Sequence, residues 1–501
     1  MRRSGILLPV SSLPSRFGIG GMGKSARDFA DTLAAAGQSV WQVLPLNIPD
    51  FVHSPYASPS AFAGNPMLID PAELVSDGLL TESEIEALAG VPTGTADYVR
   101  ADAVKGELLR RAYARFSEDG TPRLREDFSA FLEREASWLA DFALFDAIKE
   151  REGGKPFWAW QDDLKNRRPE AMEAARSRLS EEIRCRCFWQ FLFQRQLNAL
   201  RAYLAARGIS LLGDIPFYVA SDSADVWAHP ELFSAEEVAG VPPDFFTADG
   251  QLWGNPIYNW ERMREDGYAW WMQRLARCTK LYDETRLDHF RAFDSYYVIP
   301  KGAKDARSGT WRPGEGRAFF DALRKALPEL TLIAEDLGDI PPSVGALREY
   351  AAVPGMRILQ FAFGSDGRNP FLPHNYGRDT VVYLGTHDND TTAGFFASAA
   401  PGDRARAASY LGIPDGADIP TFVRGMMRAA SASVADTVIF TVQDLLSEGS
   451  AGRINTPGKI GGCWEYALSA PLTRADTAYL CEITALYGRT NLKTSEEKAY
   501  G

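Results

Sequence analysis

Eight short apolar or β-branched runs lie along the chain, and none of them alternates regularly between apolar and polar positions. Strands that are buried on both faces have this pattern, which is typical of parallel sheets. A strand with one face in solvent would alternate instead. The runs that we predict as strands are residues 5–10, 40–46, 210–215, 284–289, 330–335, 356–362, 380–386 and 437–444.

Helical periodicity separates several of these runs. Between the first two, Phe29 and Leu33 are four residues apart, and Gly37 follows at the position expected of a helix C-cap. Repeated strand–helix units build a parallel sheet, and eight of them close into a barrel. The pattern therefore predicts the α/β class and a (β/α)₈ TIM barrel.

Two intervals are too long to be simple connections between strands. Residues 47–209 contain several helical stretches and are predicted to form an inserted helical subdomain. Residues 216–283 are rich in proline and aromatic side chains and are predicted to form substrate-cleft loops and helices. The whole chain, 1–501, is then one catalytic barrel with large, mostly helical insertions after strands 2 and 3. Whether 47–209 folds by itself is left open.

Composition narrows the class of protein. The chain has 501 residues, 45% of them hydrophobic, and a net charge of −12. An acidic chain argues against nucleic-acid binding, which uses clustered Lys and Arg. No apolar run approaches the ~20 residues of a membrane span, and the apolar stretch near the start is too short for a signal-peptide core. Five cysteines, an odd count, fit a reducing compartment. We therefore predict a cytoplasmic protein.

Three acidic motifs stand at the ends of three of the predicted strands. Asp288, Glu335 and Asp388 lie 47 and 53 residues apart, about the length of a strand, a loop and a helix. A parallel barrel gathers its strand ends on one face, where barrel enzymes keep their chemistry. Carboxylates brought together in this way are what the cleavage of glycosidic bonds requires.

Each motif alone has a structural alternative, namely a buried ion pair or a helix cap. Arg286 precedes Asp288 by two residues and so points to the same side, where its charge suits an ionised nucleophile. Apolar neighbours of Glu335 would raise its pKa and suit a general acid. Asp388 follows His387, and the pair can hold two sugar hydroxyls. Asp214 ends the third strand and is expected to position the other groups.

A metal site is the alternative for residues 387–390, because His-Asp-Asn-Asp offers nitrogen and oxygen ligands. The chain has five histidines, and no two of them have H-x-x-x-H spacing. We therefore expect no catalytic metal.

Residues 18–25 match two phosphate-binding patterns, G-x-x-x-x-G-K-[ST] and G-x-G-x-x-G. Both patterns require a strand that runs directly into the glycines. Here seven residues, 11–17, separate the predicted strand from Gly18. A structural loop that caps a helix is the favoured interpretation, and an ATP-dependent enzyme is the weaker alternative.

Three loops are expected to line a cleft. The loop 242–260 carries several aromatic side chains, which offer flat apolar faces to sugar rings, although it could also fold on a small core of its own. The loops 53–58, with Ser54 and Tyr56, and 453–458, with Asn455, are polar and rich in turn residues.

The chain resembles the 4-α-glucanotransferases, also called amylomaltases or disproportionating enzymes, of the α-amylase superfamily. The resemblance runs nearly end to end. It rests on residues 7–14, 36–38, 41–45, 54–56, 213–216, 253–256, 286–291, 334–338, 386–389 and 453–458.

The resemblance implies a role for each site residue. Asp288 would be the nucleophile, Glu335 the general acid and then base, and Asp388 with His387 would grip the distorted sugar. Arg286 would orient Asp288. Tyr56, Asp214 and His289 would contact the same sugar, with Ser54 in the loop beside them. The acceptor side and the C-terminal loop would contribute Asp244, Gln251, Trp253, Asp336 and Asn455. No metal or organic cofactor is implied.

The implied substrates are a maltooligosaccharide or amylose donor and a glucose or glucan acceptor. Transfer through a covalent glycosyl-enzyme requires the two reacting carboxyl groups to be about 5–5.5 Å apart. An α-glucan hydrolase with the same residues is the nearest alternative, and a non-catalytic maltooligosaccharide-binding barrel is another.

Overall fold

The computed structural model describes residues 2–243, 248–338, 340–414 and 416–490. Strands and helices alternate along most of this length. The strands are β1 Arg3–Leu7, β2 Val40–Gln42, β3 Ser210–Ile215, β4 Phe233–Val241, β5 Gln251–Tyr258, β6 Glu284–Leu287, β7 Ser295–Pro300, β8 Thr310–Pro313, β9 Leu332–Ala334, β10 Gly355–Ile358, β11 Thr380–Tyr383 and β12 Thr437–Thr441.

Helices flank the strands and fill the long intervals between them. They are α1 Lys24–Ala35, α2 Glu73–Ser76, α3 Glu82–Leu88, α4 Tyr98–Asp119, α5 Pro122–Arg134, α6 Ala136–Arg151, α7 Asp162–Lys165, α8 Pro169–Arg178, α9 Ser180–Ala205, α10 Ala224–Ala228, α11 Trp260–Glu265, α12 Ala269–Leu281, α13 Gly316–Ala326, α14 Pro342–Ala351, α15 Thr392–Ser398, α16 Pro401–Leu411, α17 Ile419–Ala432, α18 Val442–Leu446 and α19 Arg474–Leu486.

Eight of the described strands form a closed barrel in the order β1-β12-β11-β10-β9-β6-β3-β2. All neighbouring pairs in it are parallel. Each of the eight predicted runs contains one of these strands or overlaps it, so the predicted barrel is confirmed. The carboxyl ends of the strands consequently meet on one face.

The barrel strands are buried on both faces, as the sequence pattern indicates. Successive residues of a strand point to opposite sides. Leu7, Val40 and Ile439 belong to a cluster of strand and loop side chains inside the barrel. Their neighbours Ile6 and Trp41 pack in a second cluster that also contains helix residues. Both layers exclude water, and this explains the continuous apolar runs.

Seven of the eight predicted runs extend past the carboxyl end of their strand, and two of them continue through helical segments. Residues 359–362 form a 3₁₀ turn after β10, and residues 442–446 form α18. Thr441 ends β12 because its side chain and that of Asp444 make a capping box that starts the helix. The apolar run continues across this boundary, so hydrophobicity alone does not mark it.

The interval after β2 contains α2 to α9, in agreement with the predicted helical insertion. A buried carboxylate links this insertion to α12. Glu135 lies 3.7 Å from Arg277 Nη1 and accepts hydrogen bonds from Trp138 and Lys280. Independent folding of 47–209 stays a prediction.

The remaining described strands form an antiparallel sheet in the order β5-β4-β7-β8. This sheet corrects the expectation of loops and helices in residues 216–283, because β4 and β5 lie there. Its other two strands come from the connection after β6, so the sheet combines segments on both sides of a barrel strand. The pairing of Ala239 with Val298 joins residues far apart in sequence, which a local pattern does not reveal.

The glycine-rich loop at residues 18–23 is structural. A carboxylate, that of Asp70, occupies the N-terminus of α1, where a Cβ on Gly23 would lie 1.9 Å from its Oδ2. The buried amine of Lys105 donates to Gly20 O and to Met67 O. An acidic group at the helix N-terminus opposes phosphate binding, which agrees with the favoured interpretation.

None of the described helices combines the length and the hydropathy that crossing a bilayer requires.

The end of the described chain is fixed by a buried guanidinium. Arg489 donates through Nε and Nη2 to the carbonyls of Ser431, Ser433 and Ala435 at 2.8–3.0 Å. It also donates to Arg3 O at 3.2 Å. Arg489 therefore ties the segment after α19 to β1 and to the connection before β12.

Arg489→Met is expected to lower the free energy of unfolding by on the order of 3 kcal/mol, because it removes the buried hydrogen bonds that Arg489 donates to Ser431, Ser433 and Ala435. The carbonyls of Ser431 and Ser433 keep a hydrogen bond from Arg2. Thermal and urea unfolding monitored by circular dichroism will measure the loss. The control is Arg368→Met, which removes an ion pair to Asp366 in which the Arg368 side chain is 91% exposed and should change stability little. An equal stability for the two variants would contradict the role of Arg489.

Candidate active site

Asp288 and Glu335 occupy equivalent positions on neighbouring strands. Leu287 of β6 pairs with Ala334 of β9, and each carboxylate residue follows immediately. The parallel ladder continues past both strands, since Glu335 N donates to Leu287 O (3.0 Å) and Asp288 N donates to Ile215 O (3.1 Å). Neighbouring strands lie about 4.8 Å apart. This spacing suits the predicted carboxyl separation, which stays a prediction.

Arg286 links Asp288 to Asp214. Its Nη1 donates to the Asp214 carboxylate at 2.8 Å and lies 2.9 Å from Asp288 Oδ1. Tyr56 Oη donates to Asp214 Oδ2 at 2.8 Å. Arg286 and Asp214 are buried and face each other because they are register partners on β6 and β3. The guanidinium thereby orients Asp288 and stabilises its negative charge.

Glu335 lies in an environment that favours its neutral form. Burial raises the pKa of Glu335 to about 7, while Arg286 opposes the shift and Asp288 adds to it. Its carboxyl oxygens accept hydrogen bonds from His289 N (2.8 Å) and Leu337 N (3.1 Å). Near neutral pH a large fraction of Glu335 therefore carries a proton, as a general acid requires.

Burial also raises the pKa of Asp214, to about 6, against the attraction of Arg286. Asp214 is thus mostly ionised at neutral pH, which suits a residue that positions the other groups.

His289 has a left-handed backbone conformation with φ +51°. This conformation is uncommon for residues other than glycine, and here it directs the backbone N–H at Glu335. Burial lowers the pKa of the His289 imidazole to about 4, so the ring is neutral. The Trp253 ring meets it edge to face at 5.0 Å.

Asp388 is held by the loop that follows α18. Asn455 Nδ2 donates to Asp388 Oδ1 at 2.6 Å, and Arg453 Nη2 donates to Asp388 O at 2.7 Å. His387 Nε2 lies 3.4 Å from Asp388 Oδ2. The Asp388 side chain is 41% exposed, so it is fixed at one oxygen and open to a ligand.

Aromatic rings form a wall beside Asp388. Tyr56 stacks on His387 with ring centroids 5.2 Å apart, and Trp464 packs against both rings at 5.7 and 5.9 Å. Trp464 and Arg453 were not predicted from the sequence as site residues. The sequence feature that could have indicated them is the polar, glycine-rich stretch 452–464, which contains the predicted site residue Asn455.

Gln251 and Trp253 lie together on β5. Trp253 Nε1 donates to Gln251 Oε1 at 3.0 Å, and the Trp253 side chain is partly exposed. Through its contact with His289, Trp253 borders the Asp288–Glu335 pair. Asp244, predicted for the same side, lies outside the described residues.

Ser54 is hydrogen-bonded to the backbone of Tyr56. Its hydroxyl accepts a hydrogen bond from Tyr56 N at 3.3 Å, and its own N–H donates to Asp50 Oδ1 at 2.8 Å. The predicted contact of Ser54 with substrate stays a prediction.

Asp336 pairs with two arginines on the side of the strand away from Asp288. Its carboxylate accepts a hydrogen bond from Met356 N at 2.7 Å and lies 3.4 Å from both Arg348 Nε and Arg357 Nη1. Consecutive strand-end residues point to opposite sides, so Glu335 faces the Asp288 site and Asp336 faces these arginines. The partners of Asp336 are thus separate from those of Asp288, and its predicted place on the acceptor side stays a prediction.

Within the described ranges, no cluster of three or more His, Cys, Asp and Glu side chains is arranged to hold a metal ion.

The chain is similar to known proteins over nearly its whole length. A family model described as 4-alpha-glucanotransferase matches residues 8–473. A 4-alpha-glucanotransferase of Synechocystis sp. is 45% identical over 498 residues, which cover 97% of this chain and 98% of the relative. One from Thermus thermophilus is 44% identical over 481 residues, covering 93% and 95%. The structure of an amylomaltase from Streptococcus agalactiae in complex with acarbose superposes with a TM-score of 0.94 at 37% identity, covering 98% and 100%.

Proposed function

The chain belongs to the 4-alpha-glucanotransferase family, and from this premise we propose that it transfers a segment of a 1,4-α-glucan to the 4-hydroxyl of an acceptor glucose or glucan. The donor is a maltooligosaccharide or amylose. The observation that carries the proposal is the placement of Asp288 and Glu335, which directly follow paired residues on the neighbouring strands β6 and β9. Arg286 lies 2.9 Å from Asp288 Oδ1, whereas burial raises the pKa of Glu335 to about 7.

Two carboxyl groups with these environments divide the chemistry between them. Glu335 donates its proton to the glycosidic oxygen while Asp288 attacks the anomeric carbon, which forms a glycosyl ester and releases the reducing-end fragment. An acceptor 4-hydroxyl then attacks the same carbon as Glu335 takes its proton. Asp288 leaves as a carboxylate. Two inversions retain the α configuration of the bond.

The remaining groups hold the sugar at the cleavage point. Asp388 offers an open carboxylate oxygen beside His387, and Tyr56 and Trp464 supply aromatic faces. Hydrogen bonds to sugar hydroxyls that strengthen in the transition state contribute several kcal/mol in glycoside cleavage. We assign Asp388 and His387 to that role.

Transfer also requires that a sugar, and not water, reaches the glycosyl-enzyme. The side of the site bordered by Trp253 and Gln251 presents an exposed ring next to His289. Stacking on this ring would orient an acceptor and reduce access for water. The same site without such a platform would act as a hydrolase.

Trp253→Ala is expected to lower the ratio of transfer to hydrolysis roughly 2- to 10-fold, the loss that corresponds to one aromatic contact. The ratio follows from the longer products and the new reducing ends formed from maltotriose. Trp311→Ala is the control, since Trp311 is similarly exposed on β8 of the same sheet. An unchanged ratio in Trp253→Ala would remove Trp253 from the acceptor side.

Incubation with pure maltotriose tests the function as a whole. Glucose together with maltotetraose and longer chains, at constant total reducing ends, is the expected result. Glucose and maltose with rising reducing ends would make the protein a hydrolase. If neither maltotriose nor a longer donor is converted, the protein is a non-catalytic binding barrel.

A further inference from the structure

Gln443 is a buried polar residue that the mechanism above does not use. It lies in α18, directly after β12, and its side chain is almost completely buried. The start of α18 is fixed by the capping box of Thr441 and Asp444. Asp444 Oδ1 also accepts a hydrogen bond from Thr392 Oγ1 at 2.6 Å, which ties α18 to α15. Gln443 therefore projects from a well-anchored backbone.

The side-chain amide of Gln443 connects to Asp388 through the loop after α18. Its Nε2 donates to Gly452 O at 2.8 Å. The next residue, Arg453, donates to Asp388 O at 2.7 Å and to Asn455 O at 2.6 Å. Asn455 in turn donates to the Asp388 carboxylate at 2.6 Å. One glutamine thus anchors the segment that holds both the backbone and the carboxylate of Asp388.

The other end of the same amide is unpaired within the described part of the chain, and the residue lines a small polar cavity. Gln443 Oε1 is buried and has no hydrogen-bond partner among residues 2–243, 248–338, 340–414 and 416–490. Gln443 lines a cavity of about 10 Å³ between the loop of Asn389 and Asp390 and the loop of Gly452 and Arg453. This volume suits one water molecule, which could donate to the oxygen. A neutral amide fits a position whose neighbours include Asp390 and Asp444.

We propose that Gln443 is a positioning residue for glucan transfer. Its hydrogen bond to Gly452 O fixes the position of residues 452–455, so that Arg453 and Asn455 hold Asp388 against the sugar. The inference rests on the proposed function of the site. Gln443 touches none of the reacting groups, so its effect is transmitted through Gly452. A misplacement of about 1 Å at a catalytic group can cost 10²-fold in rate, and the short hydrogen bonds along this path transmit such a shift.

Gln443→Leu removes both polar atoms and keeps much of the volume. We expect kcat for maltotriose disproportionation to fall about 10- to 100-fold, with a smaller change in KM. Asn455→Ala should also lower kcat, and the double variant should lose little more than the worse single variant, because both act through Asp388. Losses that multiply, or a wild-type kcat in Gln443→Leu, would overturn the proposal.

Gln443→Glu keeps the shape of the side chain and tests only the hydrogen bond donated to Gly452 O. A neutral carboxylic acid can donate to Gly452 O, whereas a carboxylate cannot. Asp390, Asp444, Arg453 and Glu448 surround the position, and burial among mainly acidic groups keeps an acid neutral to higher pH. The activity of this variant relative to wild type should therefore recover as the pH falls. A ratio that does not change with pH would contradict the role of the donor.

Gln196→Leu is the matched control for the cost of burying a leucine. Gln196 is also a buried glutamine whose Nε2 donates to a backbone carbonyl, that of Asp70, at 3.0 Å. Its loss should lower the thermal midpoint as much as Gln443→Leu does, with kcat unchanged. The wild-type protein in the same assay distinguishes a failure of the proposed function from a failure of the inference about Gln443. Absence of transfer by wild type would reject the proposed function, while wild-type rates in both Gln443 variants would reject only the inference.

Discussion

Asp288→Asn will lower kcat for maltotriose disproportionation by on the order of 10⁴-fold or more and will leave donor binding nearly unchanged. The amide has almost the same shape as the carboxylate, but it cannot form the glycosyl ester. Arg286, 2.9 Å from the Asp288 carboxylate, would lose one of its two charged partners and keep Asp214. Initial rates of glucose release and donor affinity by calorimetry will measure the two quantities separately.

Asp283→Asn is the matched control at the opposite end of the same barrel strand. Asp283 lies just before β6, where it pairs with Arg201 at 2.6 Å and accepts a hydrogen bond from Leu211 N. Its substitution should change stability only slightly, because surface pairs of this kind contribute little. It should leave kcat within about twofold of wild type, because Asp283 lies at the end of the strand away from Asp288. Comparable activity in the two variants would show that Asp288 is only a strand-end ion pair.

Glu335→Gln will lower kcat on maltotriose by about 10²- to 10⁴-fold, the usual contribution of a positioned general acid. A donor whose leaving group needs no proton, such as α-maltosyl fluoride, should be cleaved in the first step at a rate close to that of wild type. The second step will remain slow, because the same residue must take the proton of the acceptor. An equal loss with both donors would mean that Glu335 does not protonate the leaving group.

The pH dependence follows from the direction of the Glu335 shift. Burial raises its pKa to about 7, so the active, protonated form persists at neutral pH and is lost as the pH rises further. For maltotriose, kcat/KM should fall about tenfold per pH unit above about 7. This fall should be absent with α-maltosyl fluoride, and stopped-flow measurements across pH 5–9 will compare the two donors.

The barrel was predictable from sequence because every barrel strand is buried on both sides and therefore appears as an apolar run. Strand ends were less predictable. The run at 437–444 continues through the capping box at Thr441, where hydrogen bonding and not hydrophobicity ends the strand. The antiparallel sheet was missed because its strands carry exposed polar residues such as Glu236, and because β6 separates them in the chain.

The residues of the candidate site also differ in how well the sequence predicts them. Asp288, Glu335 and Arg286 follow from strand ends, which a parallel barrel brings together regardless of loop conformation. The resemblance implied a place on the acceptor side for Asp336, and this stays a prediction, because adjacent residues face opposite sides and Asp336 pairs with Arg348 and Arg357.

Groups supplied by loops were harder to find. The hydrogen bond between Asn455 and Asp388 and the ring contacts of Trp464 join segments whose relative position depends on the whole fold. Gln443, buried in a short helix, has no signal in one sequence that separates it from an ordinary core residue.

A trapped glycosyl-enzyme tests the central claim, that Asp288 carries the glucan between donor and acceptor. Glu335→Gln is mixed with α-maltosyl fluoride without acceptor, quenched in acid, digested and analysed by mass spectrometry. The predicted result is a maltosyl adduct on Asp288 that is absent from the double variant with Asp288→Asn. Added maltose should remove the adduct only slowly, because residue 335 can no longer take the proton of the acceptor. Fluoride release with no adduct, or with an adduct on another residue, would contradict the account.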